Sequence, residues 1–278
     1  MIHQSLDNRQ KFIEFNEQLW HYYAKAGRHD LPWRRAEADG SFDPYKIMVS
    51  ELMLQQTQVV RVLPKYQAFL QQFPSTEALA NAELKDVLIA WSGLGYNRRA
   101  KFLWQAAQKV SRSFHGNFPS VVSELVELPG VGKNTAGAIM AYAFNQPVVF
   151  LETNIRTVYI HHFFHDQIDI PDAAISELVE QTLDHENPRE FYWALMDYGS
   201  FLKQTVGNVS RFAKGYTKQS QFQGSRRQIR GQVLRLLAEE PKNLAQLTEI
   251  INDDRLAEVL SDLVSEGLIA QSAQIYHL

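Results

Sequence analysis

The sequence contains no cysteine among its 278 residues. This absence excludes disulfides, thiolate metal sites and iron–sulfur clusters, all of which need cysteine. Long apolar runs are also missing. No stretch approaches the roughly 18 to 20 apolar residues of a membrane span, and we expect no signal peptide. Alternating strand patterns are nearly absent before residue 240. We therefore expect a cytoplasmic, mainly helical protein without membrane contact.

Charge is distributed unevenly along the chain. The formal net charge is −3, yet residues 198–238 contain no acidic side chain and carry eight cations. A basic segment in an otherwise acidic chain is typical of a protein that binds a polyanion such as DNA, and a solvated linker is the alternative. The cations of this basic segment are Lys203, Arg211, Lys214, Lys218, Arg226, Arg227, Arg230 and Arg235.

Helical periodicity organises residues 1–220, which we predict to form one all-helical domain. Apolar side chains recur at helical spacing from Phe12 onward, and Gly27 is placed to end this first helix. Further breaks are expected near Thr57 and Pro64, since proline removes a helical hydrogen bond.

Residues 225–278 have the pattern of a second, smaller domain. Three amphipathic helices followed by an alternating segment predict a winged-helix-like unit with a small hairpin, a module that often binds nucleic acid. A small packing or dimerisation domain is the alternative. Its third helix, 253–266, carries five acids against one arginine. This helix suits the major groove poorly, so the basic segment is the better DNA ligand.

The stretch "LPGVGKNTAGAI", residues 128–139, places a Gly-x-Gly turn directly before a helix. Between two helices, this turn predicts a helix-hairpin-helix, whose backbone amides hold a DNA phosphate without reading sequence. A Walker-type phosphate loop would need a preceding strand, and no strand pattern is visible there. A monovalent cation at the hairpin is the only cofactor that we allow for. The predicted phosphate ligands are Gly130, Val131, Gly132, Lys133, Asn134 and Thr135, with Lys203, Arg211, Lys214, Arg226, Arg227 and Arg230 of the basic segment.

Six motifs occur in a characteristic order: "LPWRR", "DPYKIMVSELMLQQTQV", "WSGLGYNRRAKFLWQAA", "LPGVGKNTAGAI", "NIRTV" and "LMDYGSF". Together they closely resemble the catalytic domain of the MutY-type adenine DNA glycosylases, members of the endonuclease III superfamily. The resemblance covers about residues 10–220. It implies a two-lobed helical fold that flips a base out of the duplex and hydrolyses its N-glycosidic bond. It also implies double-stranded DNA with a mismatch or lesion as the partner, and we expect a monomer.

The resemblance assigns the general acid to Glu51 in "SELMLQQT". Neutral adenine is a poor leaving group, so an acid must protonate it, and the apolar neighbours of Glu51 are expected to keep its carboxyl protonated. A surface glutamate on an amphipathic helix is the alternative. The following Gln55, Gln56 and Thr57 match the part of the family motif that fills the space left by the extruded base.

A second carboxylate is expected beside C1′, because glycosidic cleavage develops oxocarbenium character. The family places an aspartate there, and Glu152 of "FLETNIRTV" occupies the position in this sequence. Because a misplacement of about 1 Å can cost orders of magnitude in rate, either the pocket is adapted to glutamate or the activity differs.

Further differences from the family concern the nucleophile of the lyase step and the recognition of the lesion. The superfamily's bifunctional members carry a lysine where this sequence has Asn134, which predicts a monofunctional enzyme without lyase activity. Leu94 and Tyr96 of "GLGYN" match the family motif and are predicted base-pocket residues. Asn97 stands where the family has an aromatic residue that wedges beside the oxidised guanine. The 54 residues at the C-terminus stand where the family commonly has a Nudix-like domain.

The four cysteine positions of the family's iron–sulfur loop are occupied by other residues. Lys203, Ser210, Ala213 and Gln219 stand there, so the basic segment replaces the cluster loop and is expected to hold DNA in its place.

Histidines provide one candidate metal pair. His161 and His165 lie one helical turn apart, with Asp166 or Asp169 as the nearest further ligand. We favour structural or solvated histidines and expect no metal site.

Three functional hypotheses remain. The leading one is a monofunctional DNA glycosylase of base excision repair, directed at adenine. The second is a glycosylase for another mispaired or damaged base, because Asn97, Asn134 and Glu152 all line or flank the expected pocket. The third is a catalytically silent DNA-binding protein, which would not need Glu51.

Overall fold

The structure is a computed structural model that describes residues 2–165 and 167–278, with side chains from residue 9 onward. Helices dominate the described chain, which confirms the mainly α fold class, and none of them is long and apolar enough to cross a bilayer. The α-helices are α1 (Ile2–Ala26), α2 (Pro44–Leu54), α3 (Val59–Gln72), α4 (Thr76–Ala80), α5 (Leu84–Ala90), α6 (Arg98–Ser113), α7 (Val122–Leu125), α8 (Lys133–Phe144), α9 (Thr153–Phe163), α10 (Asp172–Thr182), α11 (Pro188–Thr205), α12 (Arg226–Glu239), α13 (Leu244–Ile251) and α14 (Leu256–Ser265).

Short elements complete the architecture. Two 3₁₀ helices span Pro32–Arg34 and Val209–Phe212. One small antiparallel sheet has the strand order β1-β3-β2. Its strands are β1 (Lys242–Asn243), β2 (Ala270–Ser272) and β3 (Ile275–His277).

The chain forms two compact units, each assembled from several segments. Unit 1 comprises Met1–Ile47, Ser120–Ser123 and Gly132–Lys218, and unit 2 comprises Met48–Pro119, Glu124–Val131 and Gln219–Leu278. The C-terminal residues therefore belong to unit 2. The predicted division into domains 1–220 and 225–278 stays a prediction.

Unit 1 is built on the packing of α9 against α11, and α1 also packs against α11. Ile155 and Val158 of α9 are fully buried in this core. Gly199 of α11 permits the approach, because a Cβ at this position would lie 2.3 Å from the carbonyl oxygen of Asn154. The contact holds the beginning of α9 against α11, two residues after Glu152.

Unit 2 is built on α6, against which α4 and α5 pack. Trp91 and Leu103 are fully buried in this core. The C-terminal helix α12 packs on α14 and also on α5. Helices α12 to α14 and the β2–β3 hairpin lie where the sequence predicts them. Strand β1 was not predicted, because two residues cannot show an alternating pattern.

Pro64 does not interrupt a helix, so the break predicted there is wrong. Helix α3 runs through Pro64, whereas the break near Thr57 is confirmed by the gap between α2 and α3. Pro64 is exposed, and so is Val60, whose carbonyl would accept the missing hydrogen bond. Water can therefore satisfy that carbonyl, and the helix continues.

Candidate functional site

Glu152 is the N-cap residue of α9 in unit 1 and is partly buried. Burial raises the pKa of its carboxyl, and the positive charges of Arg156 and Lys203 oppose that shift. A helix N-terminus also favours a negative charge. The site therefore combines a desolvated carboxyl with three features that stabilise its ionised form.

Lys203 is partly buried in unit 1, and its amine has a hydrogen-bond partner within the unit. Its Nζ donates to the Oδ1 of Asn154 at 2.6 Å. The Nδ2 of Asn154 donates to the carbonyl of Met196 at 2.9 Å, so the beginning of α9 is tied twice to α11. Burial lowers the pKa of Lys203, and the charge of Glu152 raises it. The last turn of α11 thus directs this lysine towards Glu152, which the charge pattern of the basic segment did not reveal.

Asn134 supports the same segment from α8. Its Oδ1 accepts a hydrogen bond from the amide of Leu151 at 3.3 Å. The residue at the position of the superfamily's lysine therefore holds the backbone directly before Glu152. Lys133, its neighbour, is exposed.

A buried ion-pair cluster, missed by the sequence reasoning, stabilises unit 1. Arg34 of "LPWRR" and Asp197 of "LMDYGSF" form a bidentate pair with two contacts of 2.8 Å. The amide and the Nε of Arg28 each donate to Asp197 at 2.7 Å. Burial alone would raise the pKa of Asp197, but the hydrogen bonds and charges of Arg34 and Arg28 lower it below its ordinary value. Two quoted motifs therefore meet in a structural cluster.

The hairpin turn has the backbone that a helix-hairpin-helix requires. Gly130 has a φ of +79°, and a Cβ there would lie 2.7 Å from the Cβ of Phe102. Val131 is buried, whereas Gly132, the N-cap of α8, is exposed together with Lys133. Gly132 has no side chain to accept from the first amides of α8, so this end of the helix is suited to an external anion.

Glu51 lies in the last turn of α2 and belongs to unit 2. Its side chain is partly exposed, while the neighbouring Leu52 and Met53 are buried. The helix ends three residues later, at Leu54, and Gln55 begins the loop that separates α2 from α3. Glu51 therefore lies one helical turn before the predicted intercalating residues.

Arg99, the second arginine of α6, binds the end of α2 and was missed by the sequence reasoning. Its Nη1 donates to the carbonyls of Met53 at 3.0 Å and Gln55 at 2.7 Å. Its Nη2 donates to the Oγ1 of Thr57 at 3.2 Å and to the carbonyl of Gly95 at 3.1 Å. Burial lowers the pKa of Arg99 to about 10. Its spacing in the sequence gives no signal, because its partners are mostly backbone atoms.

The predicted base-pocket residues of unit 2 are brought together around a cavity of about 420 Å³. Gln55, Gln56, Tyr96 and Asn97 line it, and Tyr96 and Gln56 adopt left-handed backbone conformations with φ of 49° and 53°. Leu94 is instead buried, and Thr57 binds Arg99. The remaining predicted pocket residue, Asn134, belongs to unit 1.

Arg226 and Arg230 of α12 form ion pairs within unit 2. Arg226 pairs with Glu258 at 2.8 Å and with Asp262 at 2.6 Å. Arg230 pairs with Glu266 at 2.5 Å, so the acids in and after α14 neutralise these two cations of the basic segment. A DNA phosphate would have to displace these carboxylates. By contrast, the basic segment exposes Arg211 and Lys214 in unit 1.

The loop at the position of the family's cluster loop is held by packing and by backbone hydrogen bonds. Ser210 and Ala213, at two of the family's cysteine positions, are buried. The amide of Ile170 donates to the carbonyl of Phe212 at 3.0 Å, and the amide of Lys214 donates back to the carbonyl of Ile170 at 2.8 Å. Backbone pairing with Ile170 thus fixes this loop.

The histidines do not form a described metal site. Within residues 9–165 and 167–278, whose side chains the structure describes, no group of three His, Asp or Glu side chains is arranged to hold an ion, and Asp166 lies outside the described residues. His162 contacts the hydroxyl of Tyr198 at 3.1 Å, and burial lowers its pKa to about 4.

Comparisons with known proteins agree with this geometry. The model of the HhH-GPD superfamily of base excision DNA repair proteins matches residues 49–182. The adenine DNA glycosylase of Mycolicibacterium smegmatis is 32% identical over 281 residues, which covers 91% of each chain. That of Buchnera aphidicola subsp. Baizongia pistaciae is 34% identical over 221 residues, 76% of this chain and 61% of that protein. The chain belongs to the HhH-GPD superfamily and, within it, to the family of the adenine DNA glycosylases.

Other comparisons qualify the relationship. The chain spans only 53 to 61% of the length of three Buchnera relatives. Among solved structures, a thermostable thymine-DNA glycosylase is similar with a TM-score of 0.59 and 25% identity, over 69% of this chain and 88% of that one. A trapped endonuclease III–DNA intermediate has a TM-score of 0.56 at 14% identity, over 69% of this chain and 86% of that one, and supports the fold alone.

Proposed function

We propose that this chain is a DNA glycosylase that removes a mispaired adenine by hydrolysing its N-glycosidic bond. The observation that carries the proposal is the relationship to the adenine DNA glycosylase of M. smegmatis over 91% of both chains. The position of Glu51 at the end of α2 and the helix-hairpin-helix turn before α8 support it. Mismatched double-stranded DNA is the proposed partner of a monomeric enzyme.

In this mechanism the two carboxyl groups have opposite tasks. Glu51 donates its proton to a ring nitrogen of adenine, so the base leaves as a neutral molecule. The bond between C1′ and the glycosidic nitrogen breaks, and the positive charge that develops on the sugar is stabilised by the ionised carboxylate of Glu152. Water then adds its oxygen to C1′ and loses a proton, which leaves an abasic sugar.

DNA is held by backbone amides and exposed cations. The amides of Gly130, Gly132 and Lys133 are proposed to bind one phosphate. A monovalent cation at the same turn is tested by comparing DNA binding in sodium and in potassium buffer. Arg211 and Lys214 are the proposed phosphate ligands of the basic segment, because they are exposed. Gln55, Gln56 and Thr57 are proposed to fill the space that the flipped base leaves.

We propose that the enzyme has no lyase step. A lyase needs an amine that attacks C1′ and forms a Schiff base. The amide of Asn134 is not a nucleophile, and it accepts a hydrogen bond from Leu151. Borohydride added during turnover should trap no covalent complex, and the product strand should break only after alkali. A trapped adduct on Lys133 or Lys203 would overturn this proposal.

A second candidate is excision of a different base. The similarity to a thymine-DNA glycosylase at 25% identity favours thymine as the alternative target. A single-turnover assay on duplexes that carry each mismatch and common lesion, followed by alkali, decides between the two bases. Excision of thymine but not adenine would replace the first proposal. Tight duplex binding without excision of any base would favour a silent DNA-binding protein.

A further inference from the structure

Two differences from the family motifs meet at the beginning of α9 in unit 1. The family has an aspartate where this chain has Glu152, and a cluster cysteine where this chain has Lys203. The two residues are distant in the sequence, but α9 packs against α11, whose last turn carries Lys203. The structure therefore links the two changes physically.

The backbone of α11 places Lys203 against the first turn of α9. Gly199 lies one helical turn before Lys203, and a Cβ at this glycine would lie 2.3 Å from the carbonyl oxygen of Asn154. The Nζ of Lys203 donates to the Oδ1 of Asn154 at 2.6 Å. The Nδ2 of Asn154 donates to the carbonyl of Met196 at 2.9 Å, which directs the Oδ1 towards the lysine. The ammonium group is thus fixed beside a residue that follows Glu152 by two positions.

The carboxyl of Glu152 lacks a form of stabilisation that an aspartate usually finds at such a position. Glu152 is the N-cap of α9, and an aspartate at an N-cap accepts a hydrogen bond from the first amides of its helix. Among the described residues, the longer side chain of Glu152 makes no such bond with α9. An ionised glutamate at this partly buried position therefore needs a positive charge nearby.

Lys203 is better suited than Arg156 to supply that charge. Arg156 donates to the carboxylate of Asp172 at 2.8 and 2.6 Å, so an acid already offsets its charge. The described hydrogen-bond partner of Lys203 is the neutral amide of Asn154, which fixes the ammonium group without neutralising it. Burial lowers the pKa of Lys203 and raises that of Glu152, and the charge of each group opposes the shift in the other. Each therefore favours the ionised form of its neighbour.

We propose that Lys203 is a positioning residue for the reaction: fixed by Asn154, its ammonium group keeps the longer carboxylate of Glu152 ionised, so that a glutamate stabilises the charge on the sugar where the family uses an aspartate. This inference rests on the proposed function. It gives a task to the lysine at a cluster-cysteine position, and it makes the two differences from the family interdependent.

A double-mutant cycle in single-turnover excision tests this interdependence. Lys203→Gln retains a hydrogen-bond donor but removes the charge, and at neutral pH it should slow excision about tenfold, within the range for residues of one network. In a Glu152→Asp enzyme the same change should cost less than about twofold, because an aspartate accepts from the amides of α9. Equal losses in both enzymes would overturn the inference. Lys25→Gln, which removes the charge of an exposed lysine on α1, is the matched control.

Titration of Glu152 provides a readout that needs no excision. Carbon-13 NMR of labelled glutamate carboxyls, with the Glu152 signal assigned by its loss in Glu152→Gln, should show a higher pKa in Lys203→Gln and a restored pKa in Lys203→Arg. A purely structural lysine would change thermal melting without moving this titration. Should Lys203→Gln fail to fold, Glu152→Gln supplies the reciprocal test, because NMR of the lysine side chains should then show a lower pKa for Lys203.

The outcomes separate this inference from the proposed function. Coupled titrations together with excision of another base would keep this inference, which concerns the sugar, and would overturn adenine as the target. Excision of adenine with independent titrations and equal losses of rate would overturn this inference and keep the proposed function. Coupled titrations without excision of any base would overturn both, because no reaction would remain for Lys203 to serve.

Discussion

Each unit contains a buried arginine, Arg34 in unit 1 and Arg99 in unit 2, and the two arginines have different partners. In unit 1, Arg34 binds the carboxylate of Asp197 in a bidentate pair. In unit 2, the described partners of Arg99 are backbone carbonyls and one hydroxyl, including the carbonyls at the end of α2. An ion pair depends on the protonation of its acid, whereas a carbonyl accepts a hydrogen bond at any pH.

The two proposed catalytic carboxyls differ in the same way. Glu152 begins a helix and is faced by Arg156 and Lys203, which favour its ionised form. Glu51 lies in the last turn of a helix whose terminal carbonyls are bound by Arg99. Charged side chains therefore face Glu152 in unit 1, whereas in unit 2 Arg99 holds the backbone at the end of the helix that carries Glu51.

The largest effect is expected for the acid of unit 2. Glu51→Gln keeps the shape of the side chain and removes its proton, so excision should slow by about 10²–10⁴-fold, the usual contribution of a general acid. Binding of the duplex should be retained, as a fluorescence titration would show. Glu77→Gln, an exposed glutamate of the same unit, is the control. Near-normal single-turnover rates for Glu51→Gln would show that the acid is misassigned.

The buried ion pair of unit 1 should dominate the stability of that unit. Asp197→Asn leaves two arginines without their carboxylate and should lower the free energy of unfolding by about 3–5 kcal/mol. Because the pKa of Asp197 is lowered in the folded state, the contribution of the pair is complete above the unfolded pKa of about 3.9 and is lost as pH falls through the folded value. Urea denaturation across this pH range measures it. Asp172→Asn, which breaks the more exposed pair with Arg156, should cost only about 0–1 kcal/mol.

The hydrogen bonds from Arg99 to the carbonyls at the end of α2 should respond differently to pH. Arg99→Met leaves buried carbonyls without a donor and should cost about 1–3 kcal/mol. No carboxylate is among the described partners of Arg99. The cost of Arg99→Met should therefore stay constant at the low pH at which the cost of Asp197→Asn decreases. The same urea titrations test this contrast. A parallel loss for both variants below about pH 3.9 would mean that Arg99 also depends on an acid.

Substitution of Lys203 should change the pH dependence of the excision rate more than it changes the maximal rate. Burial already raises the pKa of Glu152, and Lys203 and Arg156 oppose the shift. Lys203→Met should therefore raise that pKa further and move the acidic limb of the rate profile to higher pH, because Glu152 must be ionised. Lys203→Arg should restore the limb. An unchanged limb with a uniform loss of rate would give Lys203 a purely structural role.

The cations of the two units should contribute unequally to DNA binding. Arg211→Gln and Lys214→Gln in unit 1 should each reduce the slope of log affinity against log salt by about 0.9 if each contacts a phosphate. Arg226→Gln in unit 2 should reduce it less, because Arg226 is paired with Glu258 and Asp262. Equal changes for all three variants would show that DNA displaces the acids of α14.

The sequence by itself determined the helical class, the positions of most helices, the hairpin turn and the position of Glu51 in a family motif. These features are local: periodicity, a Gly-x-Gly turn and a short motif are readable within one or two helical turns. The break predicted at Pro64 is wrong because a local pattern does not show whether the carbonyl of Val60 reaches water. The sequence also predicts that the chain carries no iron–sulfur cluster, because it contains no cysteine and the iron atoms of such a cluster need thiolate ligands.

Only the tertiary structure decided which charged side chains meet. Arg34 and Asp197 lie 163 positions apart, and Arg227 and Tyr96 lie 131 positions apart. In the sequence, the cations of the basic segment cannot be told apart. In the structure, Lys203 interacts with Glu152, Arg226 pairs with α14 and Lys214 is exposed. A charge pattern gives the sign of a segment, but the partner of each charge is fixed by the packing of distant helices, since a salt bridge or hydrogen bond needs its atoms within a few ångströms.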